Sequence, residues 1–113
     1  MIHTMKLQPF PFDQIRDGKK SIEVRLYDEK RKDIKIGDII EFKKEPEQTE
    51  TVCAKVIELL QYRTFADLAH DFPPEAFGYF DTEKLLASIF SFYTKEQEEK
   101  YTVLGIRIEV VKE

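Results

Sequence analysis

Residues 17–27 read DGKKSIEVRLY, and the second half of this stretch alternates between apolar and polar residues. Ile22, Val24 and Leu26 share one parity, whereas the residues between them are charged. Because successive side chains of a strand point to opposite faces, this alternation predicts a strand over Ser21–Tyr27. One face of that strand is expected to be buried and the other polar.

A strand and a short helix are predicted upstream of this stretch. Residues 3–8 are expected to form the opening strand. Phe12 and Ile15 are spaced for one face of a helix over Phe12–Asp17, with a proline near its start. Gly18 follows at the position where a left-handed residue commonly closes a helix.

Downstream, hydrophobic periodicity predicts three more strands and two more helices. The apolar parity changes near Ile57, which predicts a β-bulge in the longest strand. In the last strand, the alternation is expected to turn Gly105 outward. The predicted elements are strands Ile39–Phe42, Thr51–Tyr62 and Val103–Val111 and helices Phe65–Asp71 and Thr82–Tyr93.

The order of these elements predicts an α+β fold. Helices are inserted between strands of a mostly antiparallel sheet, and a small curved sheet or barrel fits the number of strands. The chain has 113 residues, of which 42% are hydrophobic, and nine Phe and five Tyr supply bulky core side chains. We therefore expect a single domain over residues 1–113 with a packed core.

Several classes of protein are disfavoured by composition. One cysteine, Cys53, allows neither an internal disulfide framework nor a cysteine-based zinc site. His3 and His70 are far apart in the sequence and have no ligand-type residues at suitable spacing, so neither a metal nor another cofactor is predicted; His3 is expected at the surface. Neither a bilayer-spanning apolar run nor a signal peptide is recognisable, which predicts a cytoplasmic protein without a membrane partner.

The charge balance bears on nucleic-acid binding. The formal net charge is −4 and the isoelectric point is near 5.3. Binding to long duplex DNA depends on many contacts between basic residues and phosphates, so this class of partner is disfavoured. A small, locally basic pocket for one or a few nucleotides remains compatible with the composition.

Charged residues gather where the first helix gives way to the strand. Glu23 and Arg25 are two residues apart and share the polar face, while Lys19 and Lys20 flank the strand entrance. A lysine, a carboxylate and a guanidinium close together can recognise a phosphate or a carbonyl group. The alternative is a half-exposed strand that merely carries charges.

Three segments resemble the ASCH domain family. Gly18–Arg25 matches a G-x-K-x-x-E-x-R signature between a first helix and a strand. Residues 33–42, DIKIGDIIEF, resemble the turn and strand that follow in the family, and residues 101–108, YTVLGIRI, resemble its closing strand. The resemblance implies a PUA-like fold, which is a small, mixed but mostly antiparallel β-barrel with helices packed outside and a cleft above the signature strand.

The resemblance also implies binding of RNA or of a single, possibly modified, nucleotide or nucleoside. Tyr79 and Phe80 are candidates for stacking on the base, the alternative being loop packing onto the core. The charged run Lys30–Lys35 is expected to be solvated surface that can add a basic lip to the cleft. The predicted ligand-binding residues are Lys19, Lys20, Ser21, Glu23, Arg25 and Tyr79.

Two other functions remain open at this stage. One branch of the family hydrolyses N4-acetylcytidine with a Lys, a Thr and a Glu. By that resemblance Lys20 matches the lysine, but Glu23 stands at the position of the threonine. If Glu23 acts as a general base, the protein would be a small hydrolase of an N-acylated nucleoside or of RNA. Glu75 and Glu83 are the candidates for the third residue. The other possibility is a non-catalytic protein-interaction domain, which would expose an apolar patch.

Overall fold

The computed structural model describes residues 1–112. These residues form five strands, five helices and one 3-10 turn. The strands are β1 Ile2–Leu7, β2 Ile22–Leu26, β3 Ile39–Lys44, β4 Thr51–Tyr62 and β5 Val103–Val110. The helices are α1 Pro9–Arg16, α2 Glu29–Lys32, α3 Phe65–His70, α4 Thr82–Phe92 and α5 Lys95–Tyr101, and the 3-10 turn spans Pro74–Phe77.

The five strands form one curled, mixed sheet in the order β1-β3-β4-β5-β2. β1 runs parallel to β3, with Ile2 opposite Ile39, and the other three pairings are antiparallel. The α+β class and the PUA-like architecture are thus confirmed. The sheet is a half-barrel whose two edges are β1 and β2.

Apolar side chains cover both faces of this sheet. On one face Phe12 and Ile15 of α1 pack with residues of β1, β3 and β4. On the other face α3, α4 and the 3-10 turn contribute Phe65, Leu85 and Phe77 to a second core. Because the central strands are covered on both sides, the helices determine which parts of the signature strand remain accessible.

The expectation for Gly105 is wrong, because this residue is buried rather than turned outward. A β-carbon built there would lie 3.0 Å from Leu68 Cδ1 and 3.4 Å from Ile22 Cγ2. The missing side chain lets α3 approach β5 closely. Alternation along one strand cannot reveal a helix that covers its second face.

Other local expectations are confirmed with small shifts of boundary. The register of β4 against β5 shifts between Val56 and Glu58, which is the predicted bulge. The charged connection between β2 and β3 contains a helical turn, α2, because the Asp28 side chain caps it by accepting a hydrogen bond from Arg31 N.

Within the described residues, no helix has the length and apolar character needed to span a bilayer.

Candidate functional site

The turn between α1 and β2 positions the first residue of the charged cluster. Gly18 adopts the left-handed conformation, with φ of 76°, immediately after the helix ends. The backbone N–H groups of Lys19 and Lys20 then both donate to the Gln14 carbonyl, at 2.8 and 3.1 Å. This closure brings Lys20 to the start of β2, as the glycine in the sequence predicts.

Glu23 lies at the centre of a buried ionic triad. Its Oε1 is 2.9 Å from Lys20 Nζ, and its Oε2 is 2.8 Å from Arg25 Nη2 and accepts from Arg25 Nε at 3.0 Å. Only 4% of Glu23 is exposed. The cluster that the sequence predicts is therefore brought together, but on a covered face rather than on an open polar one.

Arg25 also joins the two edges of the half-barrel. Its Nη2 donates to the Lys6 carbonyl at 3.1 Å, which connects β2 to β1. One guanidinium thus contacts the carboxylate on its own strand and the backbone of the opposite edge. The fork of N–H donors on arginine suits such a double contact.

The triad holds Glu23 in its ionised form. Burial opposes ionisation, but the charges of Lys20 and Arg25 and their hydrogen bonds outweigh it and lower the pKa of Glu23 to about 2. Burial would also lower the pKa of Arg25, yet the neighbouring Glu23 carboxylate raises it. Glu23 and Arg25 are therefore both charged at neutral pH.

The triad forms one wall of a cavity of about 310 Å³. Such a volume lies at the small end of ligand pockets, which span roughly 300–1,000 Å³. Most of the remaining wall is apolar or aromatic, and α4 contributes more of it than any other element. The lining residues are Lys6, Leu7, Gln8, Pro11, Lys20, Glu23, Val24, Arg25, Glu45, Phe77, Tyr79, Leu85, Ser88, Ile89, Phe92 and Tyr93.

The aromatic part of the wall has both fixed and exposed members. The Tyr79 hydroxyl donates to Ser88 Oγ at 2.6 Å, and its ring meets Phe10 edge to face at 6.3 Å between centroids. Tyr93 is half-buried, and burial raises the pKa of its phenol. Phe92 is 65% exposed and stands at the rim of the cavity.

Some predicted site residues lie elsewhere. Lys19 is exposed and outside the cavity lining, and Ser21 uses its backbone to bridge Ala76 and Ile108. Glu75 and Glu83 are exposed and outside the lining. Phe80, proposed with Tyr79 for stacking, is 95% exposed and does not line the cavity either.

Sequence reasoning missed the parts of the wall that come from distant segments. Lys6 lies in β1, and Gln8 directly follows that strand. Glu45 directly follows β3, and its N–H donates to the Leu7 carbonyl at 2.8 Å. Phe92 falls at the end of α4. No motif marks these positions, because their only common property is their place around β2 in the folded chain.

His3 also differs from expectation. It is partly buried, and its Nε2 lies 2.8 Å from Asp38 Oδ2. This contact is the main cause that lowers the pKa of Asp38 to about 2.

In the part of the chain that the structure describes, no three His, Cys, Asp or Glu residues are grouped for a metal ion.

Comparison with known protein families identifies the family of this fold. The family model of the ASCH domain matches residues 5–112. The chain belongs to the ASCH domain family. This ASCH domain matches no curated protein sequence.

Solved structures similar to this ASCH domain cover all or nearly all of its length. The crystal structure of the hypothetical protein PH0355 is 37% identical, with a TM-score of 0.86, over 98% of this chain and all of that one. The solution structure of PF0455 from Pyrococcus furiosus is 34% identical, with a TM-score of 0.79, over the full length of both chains. A mutant of an ASCH protein from Zymomonas mobilis shares the fold at 16% identity and a TM-score of 0.63, over 96% of this chain and 67% of its own.

Proposed function

We propose that this ASCH domain binds RNA or a single nucleotide, with one base held in the cavity beside β2. One observation carries the proposal: the buried triad of Lys20, Glu23 and Arg25 forms part of the wall of a small cavity that is otherwise mainly aromatic and apolar. Pockets for small ligands combine these features, an apolar enclosure and a few fixed polar groups. The family is generally associated with nucleic acid, which agrees with this assignment.

Within the triad, Glu23 orients the two cations. Both of its oxygens are already paired, one with Lys20 and one with Arg25. An ammonium has three N–H donors and a guanidinium five, so each cation retains donors for a ligand. We expect these donors to bind carbonyl or ring-nitrogen acceptors of a base, or a phosphate oxygen. A remaining lone pair on Glu23 can accept from an exocyclic amine.

The aromatic wall supplies the stacking surface. Tyr79 is held by Ser88, and Tyr93 stacks on Phe65 with 5.5 Å between ring centroids, so both rings are fixed before a ligand binds. Phe92 is exposed at the rim, where a base that enters the cavity would cover it. Stacking of bases on aromatic side chains contributes about 1–3 kcal/mol per base, and it is the common way in which single-stranded RNA is bound.

Binding is favoured over hydrolysis with Glu23 as the general base. A carboxylate whose pKa is lowered to about 2 attracts a proton weakly, and both of its oxygens are held by cations. General-base catalysis is most effective with a pKa near the working pH. The triad is therefore better suited to present fixed donors than to activate water.

Two pairs of variants test the proposal. Each variant is titrated with nucleoside monophosphates and with a single-stranded RNA hexamer, and binding is measured by calorimetry and NMR. Phe92→Ala removes a rim aromatic, and Phe80→Ala removes a more exposed ring outside the cavity. Arg25→Gln removes a wall cation, and Arg107→Gln removes a partly exposed arginine that pairs with Glu58. Binding is expected to weaken about tenfold in Phe92→Ala and further in Arg25→Gln, with both controls unchanged.

Three results would contradict the proposal. The first is that none of these ligands binds the unaltered protein. The second is equal affinity of Phe92→Ala and Phe80→Ala. The third is equal affinity of Arg25→Gln and Arg107→Gln. Thermal unfolding of every variant separates lost binding from lost folding.

A further inference from the structure

A second, more polar cavity adjoins the first within the described residues. Its volume is about 490 Å³, and it lies between β1, the edge strand β2 and helix α2. Lys6 and Arg25 line both cavities, so they stand where the two meet. The lining residues are His3, Thr4, Met5, Lys6, Arg25, Lys30, Arg31, Asp33 and Ile34.

This cavity is basic, although the chain as a whole is acidic. Lys6, Arg25, Lys30 and Arg31 contribute four positive charges to its lining, and Asp33 contributes one negative charge. The formal charge of the lining is thus +3, against −4 for the whole chain. Glu23 and Asp28, which pair with Arg25 and Arg31 from outside the lining, offset part of this charge. An excess of cations around one hollow attracts anions to that place.

Arg31 provides a donor that the protein itself does not use. Its side chain is 17% exposed, and its Nη1 lies 3.7 Å from Asp28 Oδ1. Among residues 1–112 its buried Nε has no hydrogen-bond partner. A buried donor without a partner is costly, and such groups are commonly satisfied by a bound ligand or by water.

We propose that this basic cavity binds the phosphate group of the nucleotide or RNA whose base occupies the aromatic cavity. The inference rests on the proposed function and adds the site that holds the phosphate, so a phosphorylated ligand should bind more tightly than its free nucleoside. Arg25 lies at the junction and contacts Glu23 on one side and the Lys6 carbonyl on the other. Lys30 and Arg31 lie on α2, and their side chains bind the phosphate oxygens. The forked guanidinium of Arg31 suits an anion with several acceptors.

The test compares four ribonucleosides, their 5′- and 3′-monophosphates and inorganic phosphate on each variant. Arg31→Ala and Lys30→Ala each remove one cation from the cavity. Lys32→Ala is the matched control, because it removes the same charge from the same helix, outside the lining, where Lys32 pairs with Glu29. Lys30 is exposed, so its replacement leaves folding intact even if Arg31→Ala loosens the α2 turn.

For the unaltered protein, at least one monophosphate is expected to bind about tenfold or more tightly than its nucleoside. Arg31→Ala and Lys30→Ala should reduce that ratio and leave nucleoside affinity unchanged, and Lys32→Ala should change neither.

Equal affinity for nucleosides and monophosphates would overturn this inference and leave the proposed function intact. A phosphate advantage that all three variants retain would also overturn it. If inorganic phosphate binds the basic cavity but no nucleoside or nucleotide binds, the cavity is an independent anion site, and both proposals fail.

Discussion

Glu23 is the residue on which the site depends, because it is a carboxylate that the fold has removed from water. An isolated buried carboxylate would be strongly destabilising, and only close, well-oriented cations offset that cost. Lys20 and Arg25 provide them at 2.9 and 2.8 Å. The same contacts fix the donors that we assign to ligand binding, so structure and function share one set of hydrogen bonds.

This arrangement predicts a specific acid sensitivity. Because the folded-state pKa of Glu23 is lowered from 4.5 to about 2, its stabilising effect is complete above the unfolded value and is lost as the pH falls toward about 2. Between about pH 6 and about pH 3 the unaltered protein should lose about 2 kcal/mol of unfolding free energy from this residue. Urea unfolding at a series of pH values measures the loss.

The comparison variant is Glu23→Gln, which cannot titrate. It should be less stable than the unaltered protein at neutral pH, with a smaller loss on acidification, so that the two curves converge at low pH. Asp38, whose pKa is also lowered to about 2, titrates in both proteins and cancels in the difference. Parallel curves would show that Glu23 does not contribute through its charge.

At the scale of elements, the contact between α3 and β5 holds the helical layer against the sheet. Leu68 is 1% exposed and faces Gly105, where a β-carbon would lie only 3.0 Å away. Dense interiors tolerate added atoms poorly, and overpacking typically costs about 1–3 kcal/mol. This contact determines how closely α3 approaches the face of the sheet beside β2.

Gly105→Val is therefore expected to destabilise the fold by about 2 kcal/mol, although valine is the better strand former. Leu68→Ala alone should also destabilise, because it leaves a cavity. In the Leu68→Ala background, Gly105→Val should cost less than in the unaltered protein. Chemical denaturation of the four proteins measures this coupling, and strictly additive effects would contradict the proposed contact.

At the scale of the whole molecule, the acidic surface and the two adjoining cavities limit the size of the ligand. The second cavity is lined by basic side chains, whereas the chain as a whole has a formal net charge of −4. A long nucleic acid would bring most of its phosphates near acidic surface, where they are repelled. One or two phosphates near β2 are favoured instead.

Salt dependence tests this restriction. Each phosphate contact by a single strand contributes about −0.7 to the slope of log affinity against log salt concentration. For the single-stranded hexamer we expect a slope between about −1 and −2, and affinity should change little beyond about three nucleotides. A much steeper slope, or equally tight binding of a duplex of the same length, would contradict a site limited to the two cavities.

The sequence by itself determined the five strands, three of the five described helices and the identity of the charged cluster. Alternation over residues 21–27 predicted β2, Gly18 marked the end of α1, and the parity change near Ile57 predicted the bulge in β4. These features depend on neighbours in the chain, on backbone geometry and on the period of side-chain directions, so a local pattern is sufficient to reveal them.

Only the tertiary structure decided that Glu23 is buried, that Gly105 faces α3 and that Lys6 and Phe92 join the wall around β2. Lys6 and Phe92 lie on elements far apart in the sequence, and they meet because the half-barrel brings β1 toward β2 while α4 packs across one face. Burial and electrostatic shifts arise from all atoms within a few ångströms of a group. A linear pattern therefore specifies which charges are present, whereas packing specifies what surrounds them.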